Sequence, residues 1–101
     1  MAFKVVWTDS AILDLEEICT YISRDNPQAS QRVGRGILDH VKILEAFPLI
    51  GPAYPRGATG TIREIVFEKY RIFYEVVNDQ RLVNVLCVWH GARGEPILPK
   101  K

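Results

Sequence analysis

The stretch REIVFEKYRIFYEVVNDQRLVNVLCVWHGAR, residues 63–93, decides the fold because three apolar runs follow one another with only short breaks. β-Branched and aromatic residues dominate these runs, which predicts strands at about 61–67, 70–77 and 82–90. The breaks at 68–69 and at "NDQR" (78–81) suit tight turns. The second half of the chain is therefore predicted to be a three-stranded antiparallel meander.

Alternation along these strands assigns side chains to the two faces of the sheet. In the middle strand, one face is predicted to carry Tyr70, Ile72, Tyr74 and Val76. In the last strand, one face is predicted to carry Val83, Val85, Cys87 and Trp89, and the other Leu82, Leu86 and Val88. Both faces are apolar, so both must be covered: one by helices, the other by loops or by a partner.

The first half of the chain supplies a strand and two helices. "AFKVVW" (2–7) has strand composition, and Thr8 or Asp9 can cap the helix that follows it. "RDNPQ" (24–28) ends that helix and starts another, with Asn26 as cap. The apolar stripes are Ile12, Leu15, Ile18, Cys19 and Ile22 in the first helix, and Ala29, Val33, Ile37, Val41 and Leu44 in the second.

The second helix is predicted to reach about Phe47, and the two helices form an antiparallel hairpin. Gly36 lies near the apolar stripe and is expected to allow close approach to the first helix. "FPLIGPAYPRGATG" (47–60), rich in proline and glycine, is predicted to be a loop. The order β-α-α-β-β-β predicts an α+β fold in one domain, residues 1–101.

Composition excludes several classes of protein. No apolar window is long enough to span a membrane, and no secretion signal precedes the first strand, so a cytoplasmic protein is predicted. Cys19 and Cys87 lack metal-ligand spacing and are expected to be free thiols. His40 and His90 stand alone, so no metal site is predicted, and no phosphate-binding or nucleophile motif indicates a cofactor.

Charge is unevenly distributed along the chain. Residues 1–55 carry five Lys and Arg against seven Asp and Glu, whereas residues 56–101 carry eight against five. An anionic partner is therefore expected to meet the second half. The candidate target-binding residues in that half are Arg63, Lys69, Arg71, His90 and Arg93.

Two interpretations of this basic set remain open. Cleavage of RNA through its own 2′-hydroxyl needs a base, an acid and cations that hold the phosphate, and His90, Arg63 and Arg71 are the candidates for these catalytic roles. Alternatively, the arginines form local ion pairs, since Glu64 follows Arg63 and Glu75 lies near Arg71.

The whole chain resembles the RelE/ParE superfamily of toxins from type II toxin–antitoxin systems. The resemblance rests on the Arg63–Glu64 pair, "YRIFY" (70–74) and "HGAR" (90–93), preceded by "AILDLEEICTYI" (11–22), "NPQAS" (26–30) and "FPLIGP" (47–52). It implies one fold with two activities. RelE-like members cleave mRNA on the ribosome with sheet cations and, in RelE, a tyrosine near the C-terminus. ParE-like members inhibit DNA gyrase.

The sequence is closer to the ParE-like branch. No tyrosine follows Tyr74, and the segment after Arg93 is "GEPILPKK", whereas "HGAR" is the ParE-type form of the motif. The leading hypothesis is therefore a plasmid-stabilisation toxin that inhibits gyrase and is not itself an enzyme. The alternatives are a ribosome-dependent mRNA endonuclease and a non-toxic module that only binds its antitoxin.

All three hypotheses imply a cognate antitoxin, ParD-like or similar, in a hetero-oligomer with the toxin. The resemblance implies that a disordered antitoxin segment folds along the toxin and lays a helix into an apolar groove. The residues predicted to lie near this groove are Leu15, Ile18, Ile22, Phe73 and Val85.

Overall fold

The computed structural model describes residues 2–54 and 62–94, in which a helical hairpin packs on one face of a mixed sheet. The elements are β1 (Lys4–Trp7), α1 (Asp9–Ser23), α2 (Pro27–Val41), β2 (Ile62–Phe67), β3 (Tyr70–Val77) and β4 (Leu82–His90). Short 3-10 turns lie at Lys42–Glu45, Asn78–Gln80 and Gly91–Arg93. The predicted α+β fold with the order β-α-α-β-β-β is confirmed.

The sheet has the strand order β1-β4-β3-β2. β2, β3 and β4 form the predicted antiparallel meander, and β1 pairs in parallel with β4. The first and last strands of the chain therefore lie side by side, while β1 and β2 form the two edges of the sheet. This arrangement brings α1, which begins directly after β1, onto the end of β4.

Side-chain caps start both helices where the sequence places them. The Thr8 hydroxyl accepts from the Ala11 amide at 3.3 Å, and the Asn26 side chain accepts from the Ala29 amide at 3.0 Å. The prediction that the second helix reaches Phe47 is wrong, because α2 ends at Val41. The chain tightens there into the 3-10 turn, which still buries Leu44 fully in the core.

Close packing of the helices depends on glycine, although not as the sequence suggested. A Cβ on Gly34, rather than on Gly36, would approach α1, 2.9 Å from the Cys19 sulfur. Gly36 instead lies against the Phe67 ring of β2. The expectation that Gly36 permits approach to the first helix is therefore wrong, and its missing side chain seats α2 on the sheet.

A β-bulge in β4 changes the predicted faces of this strand. Phe73 pairs with Cys87 and Tyr74 with Val85, so Leu86 is an extra residue without a partner in β3. Beyond the bulge the alternation shifts by one residue. Val83, Val85 and Val88 pack against the helices, whereas Leu86, Cys87 and Trp89 lie on the opposite face. The predicted grouping of Cys87 and Trp89 with Val83 is wrong, as is that of Val88 with Leu86.

The sheet face opposite the helices has its own small core. It contains Tyr54, Ile62, Phe73, Leu86 and Cys87, with Trp89 packed beside them. The Tyr54 ring meets Phe73 edge-on at 4.9 Å between centroids. The chain before β2 therefore covers part of this face. No helix in the described ranges 2–54 and 62–94 has the length and apolarity needed to cross a membrane.

Both cysteines are free thiols, and Cys87 is buried within this second core. Burial raises the pKa of the Cys87 thiol from 9.0 to about 12, which leaves only about one molecule in ten thousand as thiolate at pH 8. We therefore expect no alkylation of Cys87 by iodoacetamide in native protein within the time that unfolded protein reacts fully. Peptide mass spectrometry measures both rates, and equal labelling would contradict the described burial.

Candidate functional site

A groove of about 640 Å³ lies between α1 and the end of β4. It forms because β1 stops opposite Val85, so that beyond this point the edge of β4 away from β3 lies along α1. The aromatic and aliphatic lining comes from Leu13, Ile18, Tyr21, Tyr70, Val88 and Trp89.

Two side chains at the start of α1 hold β4 in place at the bulge. The Thr8 hydroxyl donates to the Val85 carbonyl at 2.7 Å, and the Val88 amide donates to the Asp14 carboxylate at 3.0 Å. Burial raises the pKa of Asp14, and the hydrogen bond from Val88 opposes that rise. Asp14 thus accepts from the Val88 amide, which lies beyond the end of β1, and holds the last residues of β4 in position.

His90 ends β4 inside the groove. Its ring meets Tyr70 edge-on at 5.4 Å between centroids, and its Nδ1 accepts from the Ala92 amide at 3.0 Å. Nε2 is then the ring nitrogen left for another contact. The turn after His90 is tied down because the Gly91 amide donates to the Lys69 carbonyl at 2.8 Å.

Charges of both signs surround the groove. Its acidic lining comes from Asp14, Glu16 and Glu17 of α1. Its basic lining comes from Arg24 and Arg93, and the Arg93 guanidinium lies 5.9 Å from the centre of the Trp89 ring. A lining of apolar side chains with charges of both signs suits an amphipathic peptide better than a polyanion.

Arg71 lies on the other face of the sheet and is paired within the protein. It donates to both carboxylate oxygens of Glu64, one of them at 3.1 Å, and both side chains are largely buried. Its guanidinium also lies 5.0 Å from the centre of the Phe73 ring. The sequence predicted that Glu64 pairs with its neighbour Arg63, but Glu64 pairs instead with Arg71 across the β2–β3 ladder.

Arg63 projects on the helix side, since it stands directly opposite Tyr74 in the β2–β3 ladder. It donates to the Gly51 carbonyl at 2.7 Å and to the Leu49 carbonyl at 3.3 Å. The Gly51 amide in turn donates to the buried Tyr74 hydroxyl at 3.0 Å. Burial raises the pKa of Tyr74. Arg63 and Tyr74 therefore anchor the segment before β2.

The structure thus divides the predicted target-binding set. His90 and Arg93 meet in the groove, whereas Arg63 and Arg71 lie on opposite faces of the sheet and Lys69 is exposed in the β2–β3 turn. The three catalytic candidates do not form a single cluster. In the parts of the chain that the structure describes, no group of His, Cys, Asp and Glu side chains can hold a metal ion.

Residues 5–94 match the family described as the ParE toxin of the type II toxin–antitoxin system parDE. The chain belongs to this ParE toxin family. The toxin is 36% identical over 91 residues to Toxin RelE2 of Caulobacter vibrioides, covering 89% of this chain and 97% of that protein. ParE and RelE names therefore both occur among its relatives, which places it in the RelE/ParE superfamily of type II toxins.

Solved structures share the fold of this toxin at low sequence identity. A chain of the chromosomal ParDE system from P. aeruginosa superposes with a TM-score of 0.71 at 20% identity, covering 87% of this chain and 95% of that chain. A chain of the RelBE2 toxin–antitoxin complex from Mycobacterium tuberculosis gives 0.62 at 21% identity, covering 89% and 99%.

The residues predicted to contact an antitoxin are only partly brought together in the toxin. Ile18 lines the groove, and Leu15 and Ile22 are half-buried neighbours that pack against the core. Phe73 and Val85 are fully buried on opposite faces of the sheet, so neither side chain reaches the surface in this conformation.

Sequence reasoning missed the most exposed apolar residues of the groove. Leu13 is 57% exposed and Tyr21 is 71% exposed, and both lie outside the apolar stripe predicted for the first helix. The sequence does contain an indication of them, since these two large apolar residues lie eight positions apart on the acidic side of an amphipathic helix. Such a second stripe indicates contact with something other than the core.

Proposed function

We propose that this toxin inhibits DNA gyrase by binding it, without acting as a nuclease, and that a ParD-like antitoxin neutralises it in the cytoplasm. The observation that carries this proposal is the match of residues 5–94 to the ParE family, whose description names the parDE system. The structural relative from P. aeruginosa comes from a chromosomal ParDE toxin–antitoxin system, which supports an antitoxin partner.

The positions of the cations support binding rather than RNA cleavage. A nuclease site needs its cations to converge on one phosphate with a base and an acid beside it. Here the Arg71 guanidinium is neutralised by Glu64, and Arg63 donates to two backbone carbonyls on the other side of the sheet. Both arginines therefore bind groups within the protein, and these contacts would have to break before either arginine could bind a phosphate.

The groove between α1 and β4 is the surface that we assign to the antitoxin. An amphipathic helix can place apolar side chains against Leu13, Ile18 and Tyr21 and its charged side chains against the acids of α1 and Arg93. Arg93 and His90, which line this groove, are also the residues that we propose to contact gyrase. Overlap of the two surfaces gives a direct way for the antitoxin to block the toxin.

A second candidate function is cleavage of mRNA on the ribosome, and the relative that favours it is Toxin RelE2, at 36% identity. In that case His90 would carry the proton, because its Nε2 is not used in the described structure and the exposed Arg93 lies three residues away. Arg71 would have to leave Glu64 to reach a phosphate.

The test is a gyrase supercoiling and cleavage assay on the purified toxin, run beside an in vitro translation reaction scored for mRNA cleavage. We expect gyrase inhibition with intact mRNA, reversal by the cognate antitoxin, and inhibition weakened about tenfold by Arg93→Ala. Codon-positioned mRNA cuts with fully active gyrase would contradict the proposal and support the nuclease alternative.

A further inference from the structure

The last strand leads into a short turn that two hydrogen bonds hold at its start. The Ala92 amide donates to Nδ1 of His90 at 3.0 Å, and the Gly91 amide donates to the Lys69 carbonyl at 2.8 Å. The bond to His90 follows the pattern of an Asx turn, in which a side chain accepts from the amide two residues further on. His90 therefore caps the 3-10 turn Gly91–Arg93.

The end of this turn is fixed as well. The Gly94 carbonyl accepts from Nε1 of Trp89 at 3.2 Å. Gly94 has a φ of +80°, which residues with a side chain adopt only with strain. Arg93 is the one charged residue of the turn, and its guanidinium lies 5.9 Å from the centre of the Trp89 ring. A turn held at both ends thus places this cation beside the indole, in the groove between α1 and β4.

The bond from Ala92 also determines which nitrogen of His90 carries the proton. A neutral imidazole has one nitrogen that donates and one that accepts. Since Nδ1 accepts from the Ala92 amide, the proton lies on Nε2, which is therefore a donor. A general base needs an unprotonated nitrogen that faces the substrate, whereas the unprotonated nitrogen of neutral His90 is already bonded to the toxin's own backbone. This arrangement suits a structural role for His90 better than proton transfer.

We propose that His90 is a positioning residue for Arg93. Its Nδ1 holds the turn that keeps the Arg93 guanidinium beside Trp89, so most of the effect of His90 on the target passes through Arg93. This inference rests on the proposed function, in which Arg93 contacts gyrase. A long arginine side chain loses rotamer freedom when it binds, and one that is held in place beforehand binds more tightly. His90 therefore raises the affinity of a contact that Arg93 makes.

Two substitutions separate the roles of the two ring nitrogens. Asparagine places its amide oxygen where Nδ1 stands and still caps Ala92, whereas glutamine reaches the position of Nε2 and has no acceptor at the nearer position. Both lose the ring contact with Tyr70, so they are matched in packing. We expect His90→Gln to weaken gyrase inhibition about tenfold, as Arg93→Ala does, and His90→Asn by less than about threefold. Equal losses or the reverse order would overturn the inference, because the imidazole itself would then bind the target.

The double variant His90→Gln/Arg93→Ala tests whether the two residues act together. We expect its gyrase inhibition to be weaker than that of Arg93→Ala alone by no more than about twofold, since the effect of His90 passes through Arg93. Single losses of about tenfold that multiply to about a hundredfold in the double variant would show two independent contacts and overturn the inference.

Two NMR measurements on the purified toxin test the cap without gyrase. We expect the Ala92 amide to exchange with solvent faster in His90→Gln than in wild type or His90→Asn. We also expect the side-chain protons of Arg93 to lose, in His90→Gln alone, the ring-current shift that Trp89 causes. Wild-type exchange and shifts in His90→Gln would overturn the inference even while gyrase inhibition stands. If the wild type leaves gyrase active, the proposed function fails, and these two measurements still decide whether His90 positions Arg93.

Discussion

Gly51→Ala is expected to lower the free energy of unfolding by about 3 kcal/mol. A Cβ at this position would stand 2.8 Å from the Tyr74 hydroxyl and closer still to the Glu64 carbonyl oxygen. Glu64 belongs to a paired strand, so its backbone cannot give way, and the buried bond from the Gly51 amide to Tyr74 would be strained as well. Thermal unfolding should show a fall in Tm of more than about 10 °C.

Gly34→Ala is the control for this experiment. Its Cβ meets only the Cys19 sulfur, at 2.9 Å, which is a side-chain atom that can rotate away. Alanine also favours a helix over glycine by about 1 kcal/mol, so the net change in the free energy of unfolding should stay within about 1 kcal/mol of wild type. Similar stabilities for the two variants would show that the Gly51 segment is not anchored as described.

Arg63 and Tyr74, which both belong to the motifs that this chain shares with the family, anchor Gly51. Arg63 binds the Gly51 carbonyl and Tyr74 binds its amide, so one peptide segment is held from both sides. The segment displays Phe47, Leu49 and Ile50, each more than half exposed. The motif residues thus identify the fold, which is why they do not separate gyrase inhibition from RNA cleavage.

Most of the fold could be predicted from local patterns. Turn residues at 68–69 and 78–81 separate the three strands, and Asn26–Pro27 separates the helices, so existence and order of the elements follow from the sequence. The bulge at Leu86 could not be predicted. "VLCVW" (85–89) is apolar throughout, so no polar residue marks where the alternation shifts.

The candidate site was harder to predict because pairing between elements decides which charges are available. Glu64 and Arg71 are diagonal neighbours across the β2–β3 ladder, a relation that depends on the register of the turn. The backbone carbonyls that bind Arg63 leave no trace in the sequence at all. The sequence therefore predicted five target-binding residues, and only two of them, His90 and Arg93, line the same groove.

Glu64→Gln is expected to lower the free energy of unfolding by about 2 kcal/mol, because it leaves the guanidinium of Arg71 partly buried without its anionic partner. The exposed fractions of the two side chains, 18% and 23%, place this pair between a surface and a buried salt bridge. Arg71 is also held against Phe73 and cannot swing freely into water. Urea unfolding of the single variants Glu64→Gln and Arg71→Gln and of the double variant measures the coupling.

The expected coupling energy is about 2 kcal/mol, so the double variant should be more stable than the sum of the single losses predicts. A coupling below about 0.5 kcal/mol would show that the pair is a solvated surface contact. Arg71→Gln then belongs in the translation assay under conditions where it remains folded. If the wild type cleaves mRNA and this variant does not, Arg71 has a catalytic role. If the coupling is strong and the wild type leaves mRNA intact, the role of Arg71 is to stabilise the sheet.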